Sequence, residues 1–183
     1  MPSKYKFHDP EGTYFITMTV VDWIDVFTRS IYKDILVDSL TYSIDKKGLI
    51  LHAWVMMSNH AHLIISAKQG FRLSDILRDL KKFTSKKIIK EIENNEYESR
   101  KNWMIPIFKK HGIKNPNNQI FQFWQQDNHP VELSTNEMID QRLNYLHNNP
   151  VKAQIVDNAE HYTYSSAIDY TGGNGLIQIE FLD

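Results

Sequence analysis

The chain has no cysteine among its 183 residues, which excludes both disulfides and thiolate metal sites. Glycine and proline are few, at 7 and 6, and no internal repeat or low-complexity segment appears. No apolar run approaches the roughly 20 residues needed to span a bilayer. The opening "MPSKYKFHDPEG" lacks the apolar core of a signal peptide, so the expectation is a cytoplasmic protein without a membrane partner. A net charge of -1 argues against a broad, unspecific coat for nucleic acid, although local patches escape a total count. What is present is a 42% hydrophobic and 12% aromatic composition, enough to build one compact domain over residues 1–183.

Residues 13–21, "TYFITMTVV", are β-branched and aromatic and alternate as a central strand does. Residues 30–45 place Ile31, Ile35, Leu36, Leu40 and Ile44 at helical spacing before the stop "KKG". "LILHAWVMM" and "HAHLIISA", parted by Ser58 and Asn59, predict an antiparallel hairpin. Leu73, Ile76, Leu77, Leu80 and Ile88 then mark a second amphipathic helix. Residues 93–119, with Pro106, Gly112 and Pro116 and no sustained period, read as a loop-rich insertion. "IFQFWQQDNHPVEL" supplies a further strand, and Ser134 with Glu137 has capping-box spacing for a third helix. That helix should end near Asn149, because Pro150 disfavours helical geometry there. The order predicts an α+β fold: a ferredoxin-like β-α-β-β-α-β antiparallel sheet with helices on one face, plus the insertion and a C-terminal helix.

On a strand, His60 and His62 project from the same side, with Cα atoms roughly 6.5 to 7 Å apart, close enough for two imidazoles to share an ion. The spacing alone favours two structural histidines, since such a pair readily arises by chance. On the third helix Ile139, Leu143 and Leu146 form the buried stripe, with Tyr145 at its margin, Arg142 nearby and Asn149 one turn further on. A tyrosine there also serves as plain boundary packing, and Asn149 as a helix terminator. Arg78, Lys82, Lys86 and Lys90 recur every fourth residue as a basic stripe, which is either a track for phosphates or a solvated face. Phe123 or Trp124 could stack an unpaired base, although core packing is the commoner fate of such aromatics. His52 is read as structural, and His147, about 200° round the helix from the Tyr145 edge, is left out of the site.

Taken together, "HAWVMMSNHAHLII", "NYLHNNPVKAQIV" and "HYTYSSAIDY" resemble, over roughly residues 13–170, the single-tyrosine HUH transposases of insertion sequences, and within them the REP-associated tyrosine transposase branch. The resemblance implies that His60 and His62 bind a divalent ion, that Asn149 completes the metal site and that Tyr145 on the C-terminal helix is the nucleophile. The ion would be Mg2+ or Mn2+, which suit a mixed imidazole and amide site. A phenol with a pKa near 10 is a poor nucleophile at neutral pH, so attack on a phosphodiester needs a cation to lower the barrier. The implied product is a 5'-phosphotyrosine with a free 3'-hydroxyl. The implied partner is single-stranded or hairpin DNA, contacted by Arg78, Lys82, Lys86, Lys90 and Arg142, with the protein a monomer or homodimer. Two other classes stay open: a metal-dependent hydrolase that activates water at "HAH", and a DNA-binding protein of this fold that does not cut.

Overall fold

The computed structural model describes residues 7–115 and 120–182. The first six residues of the opening stretch and positions 116–119 of the predicted insertion lie outside them. Four strands, β1 (Tyr14–Thr19), β2 (Leu49–Met56), β3 (His60–Ala67) and β4 (Val131–Glu132), make one sheet in the order β2-β3-β1-β4. Every neighbouring pair is antiparallel. This is the predicted split arrangement, with β1 central.

The two faces of the sheet carry different layers. Ile16 and Met18 of β1 and Leu63 and Ile65 of β3 face one side. There they meet Leu36 and Leu40 of α1 (Ser30–Lys47) and Leu77 and Leu80 of α2 (Leu73–Asn94). The alternate residues Phe15 and Ile64, with Ala53 and Val55 of β2, face the other side. They are covered by Leu146, Leu143 and Ile139 of a later helix, Asn136–His147. The two predicted helices thus share one face, and the tyrosine-bearing helix takes the opposite one.

Local chemistry sets the joints. Gly48 ends α1 in the left-handed region (φ 73°), its N–H donating to the Ser43 carbonyl. A Cβ at that position would run into the Phe71 ring. In β2 the register slips between Leu51 and Ala53, a bulge that switches the inward set from Leu49 and Leu51 to Trp54 and Met56. His52 sits at the slip, its Nδ1 on the Glu180 carbonyl at 2.7 Å and its Nε2 on Ser66 Oγ at 2.8 Å. That is the structural role expected of it.

Three expectations are corrected. Residues 101–114 of the predicted loop-rich segment form a helix, α3 (Lys101–Lys114), which buries Met104, Phe108 and Gly112 at every fourth position. Pro106 is tolerated because it lies on the exposed side, where the carbonyl it leaves without a donor meets water. Its presence, and that of Gly112, hid the helical period. The strand expected from "IFQFWQQDNHPVEL" shrinks to β4 and a single bridge between Val20 and Trp124. Phe123 and Trp124 are 1% and 3% exposed in the core, which removes them as base-stacking surfaces. Finally, Thr135 rather than Ser134 caps the tyrosine helix, its side-chain oxygen accepting from the Met138 N–H at 3.2 Å.

Candidate active site

On the exposed end of the second face, β3 and β1 present His60 and His62 opposite Thr19 and Thr17. The two imidazole centroids are 4.7 Å apart. His62 is 5% exposed; burial first, then the charges of His60 and Arg142, pull it down to about 3. Burial also lowers His60. Both rings are therefore neutral at physiological pH, the form that coordinates metal.

Their Nδ1 atoms are occupied. Thr17 Oγ1 lies 2.9 Å from Nδ1 of His62, and Asn59 Oδ1 lies 2.6 Å from Nδ1 of His60. The Asn59 amide is oriented by its other end, since its Nδ2 donates to the Trp23 carbonyl at 3.3 Å. A carbonyl only accepts, so the atom facing His60 is the amide oxygen and the His60 proton sits on Nδ1. That leaves the Nε2 lone pair for a ligand, the arrangement in which an outer partner fixes the tautomer of a metal-binding histidine. The residues present fit a divalent cation. Among the described residues no cluster of three or more His, Asp or Glu side chains is found, so a further protein donor at this pair would be of another kind.

The helix α4 (Asn136–His147) lays Leu146 into the sheet and leaves Tyr145 39% exposed at its margin. The Tyr145 ring is 5.3 Å from that of His62 and 6.0 Å from Phe15, while Phe15 stacks on His62 at 5.1 Å. Arg142, one turn before Tyr145, holds its guanidinium 5.0 Å from the Phe15 centroid. A one-residue break at Asn148 separates α4 from the short helix α5 (Asn149–Lys152); the end falls near Asn149 as predicted, but Asn149 is itself helical, since Pro150 fits the first turn of the new helix. Asn149 donates its amide to the Tyr145 carbonyl at 3.0 Å, tying it to the tyrosine's turn. His147 is buried against Ser166 at 2.9 Å and plays no part.

Two sets of residues escaped the sequence reading. Thr17 and Asn59 are the outer partners of the histidines, visible only once strand pairing is known. Lys152 places its ammonium 5.6 Å from the Tyr145 ring and, with Gln141, Asn144 and Asn148, lines an open cleft of about 500 Å3 beside it. Its spacing of seven from Tyr145 was the available signal.

The basic stripe is not brought to this site. Lys82, Lys86 and Lys90 are exposed on α2, which packs on the other face of the sheet. Arg78 is paired with Asp75 at 2.7 Å and Asp79 at 3.2 Å.

Comparison with known proteins follows the same lines. A solved structure of a REP-associated tyrosine transposase bound to a REP hairpin superposes with a TM-score of 0.64 at 17% identity, over 100% of this chain and 94% of that one. A second, from Deinococcus radiodurans R1 and assigned as a transposase, gives 0.44 at 17% identity over 80% of this chain and 96% of its own. The first likeness is one of fold, and the second carries no argument. No curated protein sequence matches the chain. Among the described residues no helix is long and apolar enough to cross a membrane. The model of the IS200-like transposase family matches residues 12–109, more than half of the sequence, a span that holds both histidines and stops short of Tyr145. On that match the chain belongs to the IS200-like transposases, a family of DNA-cleaving enzymes.

Proposed function

We propose that this protein cuts and rejoins single-stranded DNA through a covalent 5'-phosphotyrosine on Tyr145. The observation that carries the reading is the 5.3 Å approach of the Tyr145 ring to His62, made by two elements far apart in sequence. In the cutting step the Tyr145 oxygen attacks phosphorus, the bond to the 3'-oxygen breaks, and the departing oxygen takes up a proton. The phenol proton leaves to solvent, to which Tyr145 is open. Lys152, 5.6 Å from the ring, and Arg142, one turn before Tyr145 on α4, hold the phosphate by charge. The phosphotyrosine bond conserves the energy of the broken diester, and a 3'-hydroxyl attacking it reverses the step.

His60, His62 and the Asn149 amide oxygen would hold a divalent cation, Mg2+ or Mn2+. When bound, it supplies positive charge to a non-bridging phosphate oxygen. The chain's own part is to keep the two Nε2 atoms unprotonated and aimed, through Thr17 and Asn59. DNA approaches across the open cleft beside Tyr145, and the hairpin held by the solved transposase of similar fold makes a hairpin with a single-stranded flank the DNA to try. The whole chain acts as one domain, with Lys82, Lys86 and Lys90 steering flanking phosphates on the far layer.

The test is a denaturing gel of the protein incubated with labelled hairpin DNA carrying single-stranded tails and Mn2+. A covalent protein-DNA band is expected, absent with Y145F and with chelator, while Y145F still binds the DNA. Cleavage that persists in Y145F would mean that water is the nucleophile.

A further inference from the structure

We propose that Trp23 is the stacking platform for an unpaired base next to the scissile phosphate, and that Asn59 couples this platform to the metal-facing histidine. The inference rests on the single-strand cleavage reading above and adds the part of the DNA that is gripped.

Trp54 and Trp124 are buried, and Trp103 lies on α3, but Trp23 is 58% exposed beside the site. Its indole is 6.0 Å from the His60 ring and inclined at 72°, so one face stays open at the edge of the candidate metal site. The backbone beneath it is strained. Asp22 (φ 50°, ψ 22°) and Trp23 (φ 55°) are consecutive non-glycine residues in the left-handed region, where a bulky side chain is disfavoured and glycine would sit freely. Such conformations persist only where surrounding contacts impose them, and they concentrate at functional sites.

The contacts here are specific. The Trp23 N–H donates to the Val20 carbonyl at 3.1 Å. Its carbonyl accepts from Asn59 Nδ2 at 3.3 Å. The Asp22 carboxylate meets Nε2 of His111 at 2.9 Å, and Ile24 and Val26 anchor the chain beyond it in the core. Asn59 therefore holds Trp23 with one end of its amide and His60 with the other. A turn serving only to change chain direction needs neither an exposed indole nor that link. Unpaired bases stack on such rings with little regard to sequence, and this exposed ring lies 6.0 Å from His60.

The experiment uses the full chain and a synthetic DNA hairpin with thymidine tails, whose stem fixes the register. Affinity is measured by fluorescence anisotropy in chelator, so that nothing is cut, for the unmodified protein, W23A, W23F and W23G. W23G relieves the left-handed strain and so guards against a folding defect. W23A and W23G are expected to bind about 5- to 100-fold more weakly, with W23F close to the unmodified protein. Removing one thymine base at a time should reveal a tail position whose loss weakens the unmodified protein by a similar factor and leaves W23A unaffected. Equal affinities for W23A and the unmodified protein, or equal sensitivity of both to every missing base, would overturn the platform. If that coupling is found but the unmodified protein forms no covalent band with Mn2+, the cleavage reading fails and the platform stands.

Discussion

Thr17 is a small side chain on a central strand whose hydroxyl faces the Nδ1 of His62 at 2.9 Å. Valine would keep its shape and β-branching and remove only that contact, leaving the imidazole free to rotate or to change tautomer. Loss of such outer partners commonly weakens metal affinity about 10- to 100-fold. T17V should accordingly need that much more Mn2+ for half-maximal adduct formation, and should recover its rate at saturating metal. An unchanged Mn2+ dependence would show that Thr17 only packs. H62A, by contrast, should lose adduct formation at any metal concentration while keeping the fold by circular dichroism at a lowered melting temperature, because the imidazole is buried between Phe15 and Tyr145.

Between elements, the join of α1 to the turn before α3 depends on Glu98. Its side chain is fully buried and receives Nε of Arg29 at 2.9 Å, Nε and Nη2 of Arg100 at 2.9 Å, and the Tyr32 hydroxyl at 3.0 Å. These partners, the Arg100 hydrogen bond foremost, hold the carboxyl at about 2, below its ordinary 4.5. The native state therefore binds fewer protons than the unfolded chain between those values. The stabilisation is complete above pH 4.5 and drains away as pH falls toward 2. E98Q should lower stability by about 2–3 kcal/mol, below the usual cost of splitting a buried pair because Arg29 is partly in water. It should also flatten the fall of the unfolding midpoint across that pH window. Equal acid sensitivity in the variant would place the acid response elsewhere.

At the scale of the whole molecule, the sheet separates two jobs. The histidines and Tyr145 lie on one face, and the α2 lysines lie on the layer covering the other. In the proposed reaction, charge on that layer acts on flanking DNA and not on the reacting phosphate. Changing Lys82, Lys86 and Lys90 together to glutamine should weaken DNA binding whatever the sequence. It should also reduce the slope of log affinity against log salt by up to about 2, at roughly 0.7 per single-strand phosphate contact. The rate of adduct formation on saturating DNA should stay the same. Arg78 is left out because Asp75 and Asp79 already neutralise it. A fall in that rate would mean the lysines reach the site, and an unaltered salt slope would return them to plain solvation.

The sequence by itself determined what local rules can carry. The alternation of "HAHLIISA" put both histidines on one side of β3. The stripe of Ile139, Leu143 and Leu146 put Tyr145 at the edge of a helix, and the order of strands and helices led to the sheet that is found. Periodicity failed where it was broken by Pro106 and Gly112, because a helix stabilised by burying Met104 and Phe108 needs no unbroken pattern. It failed again over "IFQFWQQDNHPVEL", where the apolar residues are held by core partners, Trp124 stacking on Phe27, and not by an extended strand. Only the tertiary structure decided which side chains meet. Strand register brought Thr17 to His62, the hairpin brought Asn59 between Trp23 and His60, and helix packing on the second face brought Tyr145 to the histidine pair. Apart from that of Asn59 with its neighbour His60, those contacts join residues far apart in the chain, and their closeness follows from burying two faces of one sheet at once, which no local pattern encodes.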